Sequence, residues 1–175
     1  MATSTTTMKN PEKSALVVIA MKNFQDVELD GTLKGLKSKG FHYDLCSKEK
    51  NKEAIGKLGG KQTPTVAVKE VNVDQYNRVA FIGGPGALEL ADDEEVLDLA
   101  RKFADAKKVV GAICVAPLIL ANAGLLNGKR ATVWDSKSGQ GPEARALSSH
   151  GAIMVANPVV VDGSIITGNG PSAAE

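Results

Sequence analysis

The sequence predicts an α/β protein in which a mostly parallel sheet is covered by helices on both faces. Short apolar runs alternate with segments of helical periodicity from Ala15 onward. Strands that alternate with helices pair in parallel, because each helix returns the chain to the same edge of the sheet. The run at residues 15–20 contains no polar residue, which is typical of a strand buried on both faces.

The remaining elements follow in order. Residues 27–39 carry an apolar stripe at helical spacing that ends before Gly40. Further strands are expected at residues 41–46, 78–82, 108–113, 131–134, 153–156, 159–161 and 165–167, and a small hairpin at 64–68 and 71–73. Further helices are expected after the cap at Asp92 and Asp93, at 117–124 and at 143–149.

Length and composition limit the function classes. The 175 residues suffice for one domain, and 21 basic against 20 acidic residues leave a net charge of +1. This balance gives no reason to expect nucleic acid or a membrane surface as partner. We expect residues 1–14, which lack an apolar core, to be a disordered leader before a domain at 15–175. Two cysteines make no disulfide framework, which favours a reducing compartment, most simply the cytoplasm.

Cys114 is the first candidate functional residue, because a predicted strand ends there and a helix begins almost at once. Such a turn is tight and presents its side chain beyond the carboxyl ends of the strands, where open α/β sheets bind ligands. The N-terminus of the following helix would favour the thiolate. The alternative is a structural cysteine, since free cysteines are commonly buried. Position alone does not decide between them.

Two other segments are expected at the same edge. If the ends of the first and fifth strands lie side by side, the Glu28 carboxyl could bond the sulfur and move a proton. The alternative is that Glu28 complements the dipole of its own helix. The glycine turn at residues 83–86 could approach a substrate and offer an N–H to an oxyanion. The histidines and cysteines lack the spacing of a metal site.

Four segments occur together in an order that resembles the ThiJ/PfpI superfamily, also called the DJ-one family. They are FQDVEL (24–29), FIGGPGA (81–87), AICVAP (112–117) and DGSIITGNGP (162–171). The resemblance runs from Ala15 to the last residue. It implies a flavodoxin-like, class I glutamine-amidotransferase-like sandwich that forms homodimers or larger homo-oligomers. The last residues look like the start of a helix, so a terminal helix is expected to be missing.

The resemblance also implies roles for individual residues. Cys114 matches the family's elbow cysteine, and Glu28 matches the acid that bonds its sulfur, typically as the neutral carboxylic acid. The N–H groups of Gly84 and Val115 are candidate donors to an oxyanion. Further candidate neighbours of the pocket are Trp134, Asp135 and His150.

The sequence departs from the family pattern in ways that bear on activity. Val115 stands where the protease-like branch has a histidine directly after the cysteine. Trp134 stands where the human-like branch has a histidine about twenty residues further on. The segment 167–171 lacks the arginine of many relatives. Bulky Val115 and Trp134 predict a more apolar pocket than in relatives with polar linings.

Three functions from different classes remain. The first is a glyoxalase or deglycase-type enzyme that needs no cofactor, acts on the small carbonyl compound methylglyoxal or its adducts, and protects against stress. The second is a redox sensor or chaperone-like stress protein in which Cys114 oxidises to sulfenic and then sulfinic acid. The third is an amidase or cysteine peptidase, which would need an activating histidine that the sequence does not supply beside Cys114.

Overall fold

A seven-stranded sheet organises residues 9–175, the part of the chain described by this computed structural model. Within these residues the strands are β1 (Ser14–Val18), β2 (Lys22–Phe24), β3 (His42–Ser47), β4 (Ala54–Gly56), β5 (Lys61–Gln62), β6 (Val66–Ala67), β7 (Arg78–Phe81), β8 (Val109–Ile113), β9 (Arg130–Ala131), β10 (Ile153–Met154), β11 (Val159–Asp162) and β12 (Ile165–Gly168). The α-helices of the same residues are α1 (Asp26–Ser38), α2 (Ala87–Ala91), α3 (Glu94–Asp105), α4 (Pro117–Asn122) and α5 (Pro142–Ser149). None of these helices is long and apolar enough to cross a membrane.

The central sheet has the order β11-β12-β8-β7-β1-β3-β6. Every neighbouring pair is parallel except β11 and β12, which are antiparallel. Strands β2, β4 and β5 form a separate small sheet, and β9 pairs with β10 in another. This mixed α/β domain with a mostly parallel sheet confirms the predicted fold class.

Strand β1 shows why the sheet needs helices on both faces. Its side chains alternate between two apolar clusters, because successive residues of a strand point to opposite faces. Leu16 and Val18 pack in the cluster formed with α2, α3, α4 and α5. Val17 and Ile19, the residue directly after the strand, pack in the cluster formed with α1. All four side chains are fully buried, as the uninterrupted apolar run predicts.

The predicted hairpin at residues 64–68 and 71–73 does not form. Val66 and Ala67 instead pair in parallel with the end of β3, and residues 68–70 turn away from the sheet as a single 3-10 turn. The alternating pattern fits either partner, so the local sequence could not distinguish them. The strands predicted at 131–134 and 153–156 are shorter, as β9 and β10, and pair with each other outside the central sheet.

The start of the domain lies earlier than predicted. Residues 1–8 of the expected leader lie outside the described part of the chain, but residues 9–14 belong to the folded domain. Lys9 forms an ion pair with Asp44, and its ammonium lies 3.8 Å from the centroid of the Tyr76 ring. Residues 11–13 form a 3-10 turn, and Ser14 is already the first residue of β1. The boundary at residue 15 is therefore corrected.

The C-terminal residues pack against α1. Residues 171–173 form a 3-10 turn, and Ala174 lies so close to α1 that a Cβ on Gly31 would be 2.7 Å from the Ala174 Cβ. A glycine at this point of the helix is therefore required by the close approach of the two segments.

Candidate active site

Cys114 occupies a strained turn between β8 and α4. Its φ angle is +62°, in the left-handed region that residues with a Cβ rarely adopt. Two backbone hydrogen bonds hold this conformation: the Cys114 N–H donates to the Gly168 carbonyl at 2.9 Å, and the Cys114 carbonyl accepts from the Trp134 N–H at 2.8 Å. The neighbouring segments therefore fix the strained turn that the sequence predicts at Cys114.

Glu28 lies fully buried in the first turn of α1. Gly83 lies between the Glu28 carboxyl and Cys114. Glu28 Oε2 accepts a hydrogen bond from the Gly83 N–H at 3.0 Å. A Cβ on Gly83 would lie 2.5 Å from the Cys114 Cβ and 2.7 Å from Glu28 Oε2. The absence of a side chain at Gly83 therefore lets the thiol and the carboxyl approach each other.

The route by which these residues meet differs from the prediction. The first and fifth predicted strands, β1 and β8, are not neighbours, because β7 lies between them. Gly83 follows the end of β7 and bridges this separation. The sequence pattern indicated the right edge of the sheet but not the intervening strand.

The backbone of Gly84 approaches the end of β2 and the residue that follows it too closely for any other residue. Its φ angle is +100°, and a Cβ there would lie 2.4 Å from the Asn23 carbonyl oxygen and 2.6 Å from the Gln25 nitrogen. Neither the Gly84 N–H nor the Val115 N–H donates to another backbone carbonyl within residues 9–175. Both instead interact with the Cys114 sulfur and favour its ionised form. They are placed beside the sulfur, where the sequence predicted oxyanion donors.

We expect the variant Gly84→Ala to lose at least about 3 kcal/mol of stability, because an unfavourable φ combines with a collision against backbone. Gly59→Ala is a matched control: Gly59 has a φ of +91° but no heavy atom within 4 Å of a built Cβ. We expect this control to lose only about 1 kcal/mol. Urea unfolding of both variants measures the difference, and equal losses would contradict the steric account.

Burial changes the acid–base properties of the pair. Burial raises the pKa of Glu28 from 4.5 to about 7, against opposing effects of the Cys114 thiol, the Gly83 N–H and the Lys57 charge. Burial, followed by the charge of Glu28, raises the pKa of the Cys114 thiol to about 12. The Gly84 and Val115 N–H groups lower the pKa of this thiol, as expected of donors at the turn, but desolvation exceeds their effect.

Glu28 Oε1 is buried and accepts no hydrogen bond of regular geometry within residues 9–175. Such an atom is costly to bury when it is charged and lacks a partner. The neutral acid reduces this cost, because it carries a proton that can be donated to the sulfur or to a ligand. Glu28 can therefore exchange a proton with the sulfur or with a ligand in the cavity.

A cavity of about 280 Å³ opens over the pair. Its apolar lining consists of Pro85, Leu88, Val115, Trp134 and Pro171. Its remaining lining residues are Gln25, Glu28, Lys57, Gly84, Cys114 and Glu143. Five of the seven candidates from the sequence thus line one cavity: Glu28, Gly84, Cys114, Val115 and Trp134.

Asp135 and His150 do not line this cavity. Asp135 directly follows the lining residue Trp134, whereas the expectation that His150 neighbours the pocket is corrected. The Asp135 carboxylate accepts hydrogen bonds from backbone N–H groups of its own loop, including Gly139 at 2.7 Å and Gly141 at 2.8 Å. The His150 ring is exposed at the end of α5, where Nδ1 lies 2.8 Å from the Ala146 carbonyl oxygen. Asp135 shapes the loop, and His150 caps the helix.

Lys57 and Glu143 are charged residues of the cavity that the sequence reasoning missed. Lys57 lies in a glycine-rich turn after β4, and Glu143 in the first turn of α5. Neither position carries a motif, and the strand before Lys57 has only three residues. No signal in the sequence of this single chain could have assigned them to the site.

A parallel α/β sheet with a strained cysteine at a strand-to-helix turn defines the class of proteins that carry a nucleophile elbow. The chain belongs to the DJ-1/PfpI family, whose family model matches residues 13–175. This finding confirms the resemblance inferred from the four sequence segments.

Individual relatives agree with this assignment. The uncharacterized protein MJ0967 of Methanocaldococcus jannaschii is 40% identical over 169 residues, which cover 95% of this chain and 78% of that protein. A protein named deglycase PYRAB04690, from Pyrococcus abyssi, is 29% identical over 156 residues, covering 89% of this chain and 90% of its own. The crystal structure of a ThiJ/PfpI domain protein from Brachyspira murdochii has a TM-score of 0.86 at 31% identity, covering 94% of this chain and 91% of that one.

Proposed function

We propose that this protein is a glyoxalase or deglycase-type enzyme that converts methylglyoxal, or adducts of it, through a covalent bond to Cys114. The observation that carries the proposal is the buried Glu28 carboxyl, which bonds the Gly83 N–H and faces Cys114 across that glycine. Its raised pKa of about 7 allows it both to accept and to donate a proton near neutral pH. The deglycase name of the Pyrococcus abyssi relative supports the same reaction class.

The first step forms a carbon–sulfur bond. The Glu28 carboxylate accepts the thiol proton while the sulfur attacks the aldehyde carbon of methylglyoxal. Glu28 then gives this proton to the aldehyde oxygen, which completes a hemithioacetal and restores the carboxylate. General-base assistance is needed because the raised pKa of Cys114 keeps the resting thiol protonated. The charge of Glu28 and its hydrogen bonding both act on the pKa of that thiol.

The second step moves a proton between adjacent carbons. Glu28 removes the proton from the sulfur-bearing carbon and returns it to the neighbouring carbonyl carbon, while the hydroxyl proton of the hemithioacetal moves to the former carbonyl oxygen, which gives a thioester of lactate. One carbon is oxidised and the other reduced, so no external oxidant or cofactor enters the balance. Water then cleaves the thioester and restores the thiol. The Gly84 and Val115 N–H groups would stabilise the negative oxygen in these steps.

The two alternatives have weaker support. A redox sensor needs a substantial thiolate population, whereas burial raises the pKa of Cys114 to about 12. A peptidase needs a histidine at the thiol, and within residues 9–175 neither His42 nor His150 lines the cavity. Glyoxalase chemistry needs only the cysteine and the acid.

The pH dependence of methylglyoxal turnover tests the role of Glu28. Because the carboxylate is the active form for attack, kcat/KM should rise as pH increases through about 7. We expect Glu28→Gln to lower kcat/KM by about a hundredfold or more and to remove this rise. The measurement is lactate formation between pH 5 and 9 for the two proteins.

Glu143→Gln is the matched control, since it neutralises another acid of the same cavity whose carboxylate accepts hydrogen bonds from Ser136. It should retain the rise near pH 7. Absence of lactate formation by the wild type at every pH would refute the proposed function, and an unchanged profile in Glu28→Gln would refute the role of Glu28.

A further inference from the structure

The turn at residues 56–60 is fixed against the start of α1. The Asp26 carboxylate accepts hydrogen bonds from the Leu58 N–H at 2.7 Å and from the Gly60 N–H at 2.8 Å. The Lys57 N–H donates to the Phe24 carbonyl at 2.8 Å. Hydrogen bonds from this turn to Phe24 and Asp26 therefore determine the position of Lys57, which lines the Cys114 cavity.

Lys57 brings a positive charge to the lining of this cavity. Within residues 9–175 its ammonium makes no ion pair or hydrogen bond. Its charge nevertheless acts on the pocket, because it lowers the pKa of Glu28 against the effect of burial. Other lysines of the same region are neutralised: Lys61 pairs with Glu53 at 3.2 Å, and Lys50 pairs with Glu70 at 2.7 Å.

Glu143 is the cavity's other charged rim residue, but it is already engaged. Its Oε2 accepts hydrogen bonds from the Ser136 N–H at 3.2 Å and from the Ser136 hydroxyl at 3.0 Å. Of the uncharged lining residues, Leu88 and Trp134 are about half exposed, and the Gln25 side-chain oxygen accepts a hydrogen bond from the Val27 N–H at 2.8 Å. Lys57 is thus the charged group with unused capacity to bind a ligand.

We propose that Lys57 is a specificity-determining residue that binds an anionic group of the substrate, so that the preferred substrates are small carbonyl compounds bearing a carboxylate or a phosphate. This inference rests on the proposed function, because Lys57 can select substrates only if the protein is an enzyme. The binding preference itself does not depend on turnover. A cation on a fixed turn, beside an apolar cavity with a nucleophile, would orient the anion and direct the carbonyl carbon toward the sulfur.

Alkylation of Cys114 measures this preference without any catalytic assay. Iodoacetate and iodoacetamide react with the same sulfur but differ in charge, so the ratio of their rates reports the charge at the cavity and cancels effects on the thiol pKa. We expect Lys57→Met to lower the iodoacetate-to-iodoacetamide ratio by about fivefold, as loss of one nearby charge implies. Lys57→Arg should retain the wild-type ratio.

Lys61→Met is the matched control, because it removes the same net charge from the neighbouring strand β5. Its ratio should equal that of the wild type. Cys114→Ser gives the background rate for Cys46, which is fully buried. Equal ratios in wild type and Lys57→Met would overturn the inference, even if methylglyoxal were turned over.

A protection experiment distinguishes the two anions. Glyoxylate is compared with glyoxal, and glyceraldehyde 3-phosphate with glyceraldehyde, as protectors of Cys114 against iodoacetamide. We expect at least one anionic compound to protect at a concentration several-fold below that of its neutral partner, and this advantage to vanish in Lys57→Met. The pair with the larger advantage identifies carboxylate or phosphate. No advantage in either pair would overturn the inference.

Discussion

Cys114→Ser is expected to lower kcat/KM for methylglyoxal by at least about a thousandfold, because the reaction passes through a carbon–sulfur bond. A serine hydroxyl fills the same space at the turn, so the fold should survive. Its proton is far less acidic than that of a thiol, and Glu28 with a pKa of about 7 cannot remove it at a useful rate. The measurement is lactate formation at pH 8 with both proteins at equal concentration.

Cys46→Ala provides the matched control for loss of a thiol. Cys46 is fully buried on β3 and packs in the cluster on the α2–α5 side of the sheet. Its truncation should cost about 1–2 kcal/mol of stability and leave kcat/KM within about a factor of two. Activity of Cys114→Ser close to that of the wild type, in a folded sample, would contradict covalent catalysis.

The sequence predicted those features that depend on local patterns. The apolar run at residues 15–20 predicted a doubly buried strand, and the abrupt change from strand to helix predicted the turn at Cys114. That turn has the expected strain, with a φ angle of +62°. Hydrophobic periodicity and turn chemistry act over a few residues, so a single sequence contains the information for both.

The sequence could not predict features that depend on residues distant along the chain. Glu28 and Gly83 are separated by 55 positions along the chain. The strand order shows that β7 lies between β1 and β8, so that Glu28 approaches Cys114 across Gly83, the glycine that follows β7. Lys57 lines the cavity because it follows a three-residue strand and because Asp26, distant along the chain, binds the turn that contains it. The pKa of the thiol depends on how deeply the turn is buried, which helix position alone does not reveal.

The pH dependence of stability should differ between wild type and Glu28→Gln by about 3 kcal/mol. The folded-state pKa of about 7 lies above the ordinary value of 4.5, so the folded protein holds a proton that the unfolded chain has released. This contribution is fully present below the unfolded pKa and is lost as pH rises through about 7. At about 1.4 kcal/mol per pKa unit, the loss is about 3 kcal/mol.

Glu28→Gln should lack this loss, because glutamine keeps an oxygen for the Gly83 N–H but has no proton to release. Urea unfolding at constant ionic strength between pH 4 and 8.5 measures the free energy of unfolding of both proteins. The two curves should diverge with rising pH, the variant becoming the more stable relative to wild type. Glu12→Gln, which removes an exposed acid on the 3-10 turn at residues 11–13, should follow the wild-type curve. Parallel curves for wild type and Glu28→Gln would mean that Glu28 ionises in the folded protein as it does in water, and its role as an acid–base group near pH 7 would then lose its physical basis.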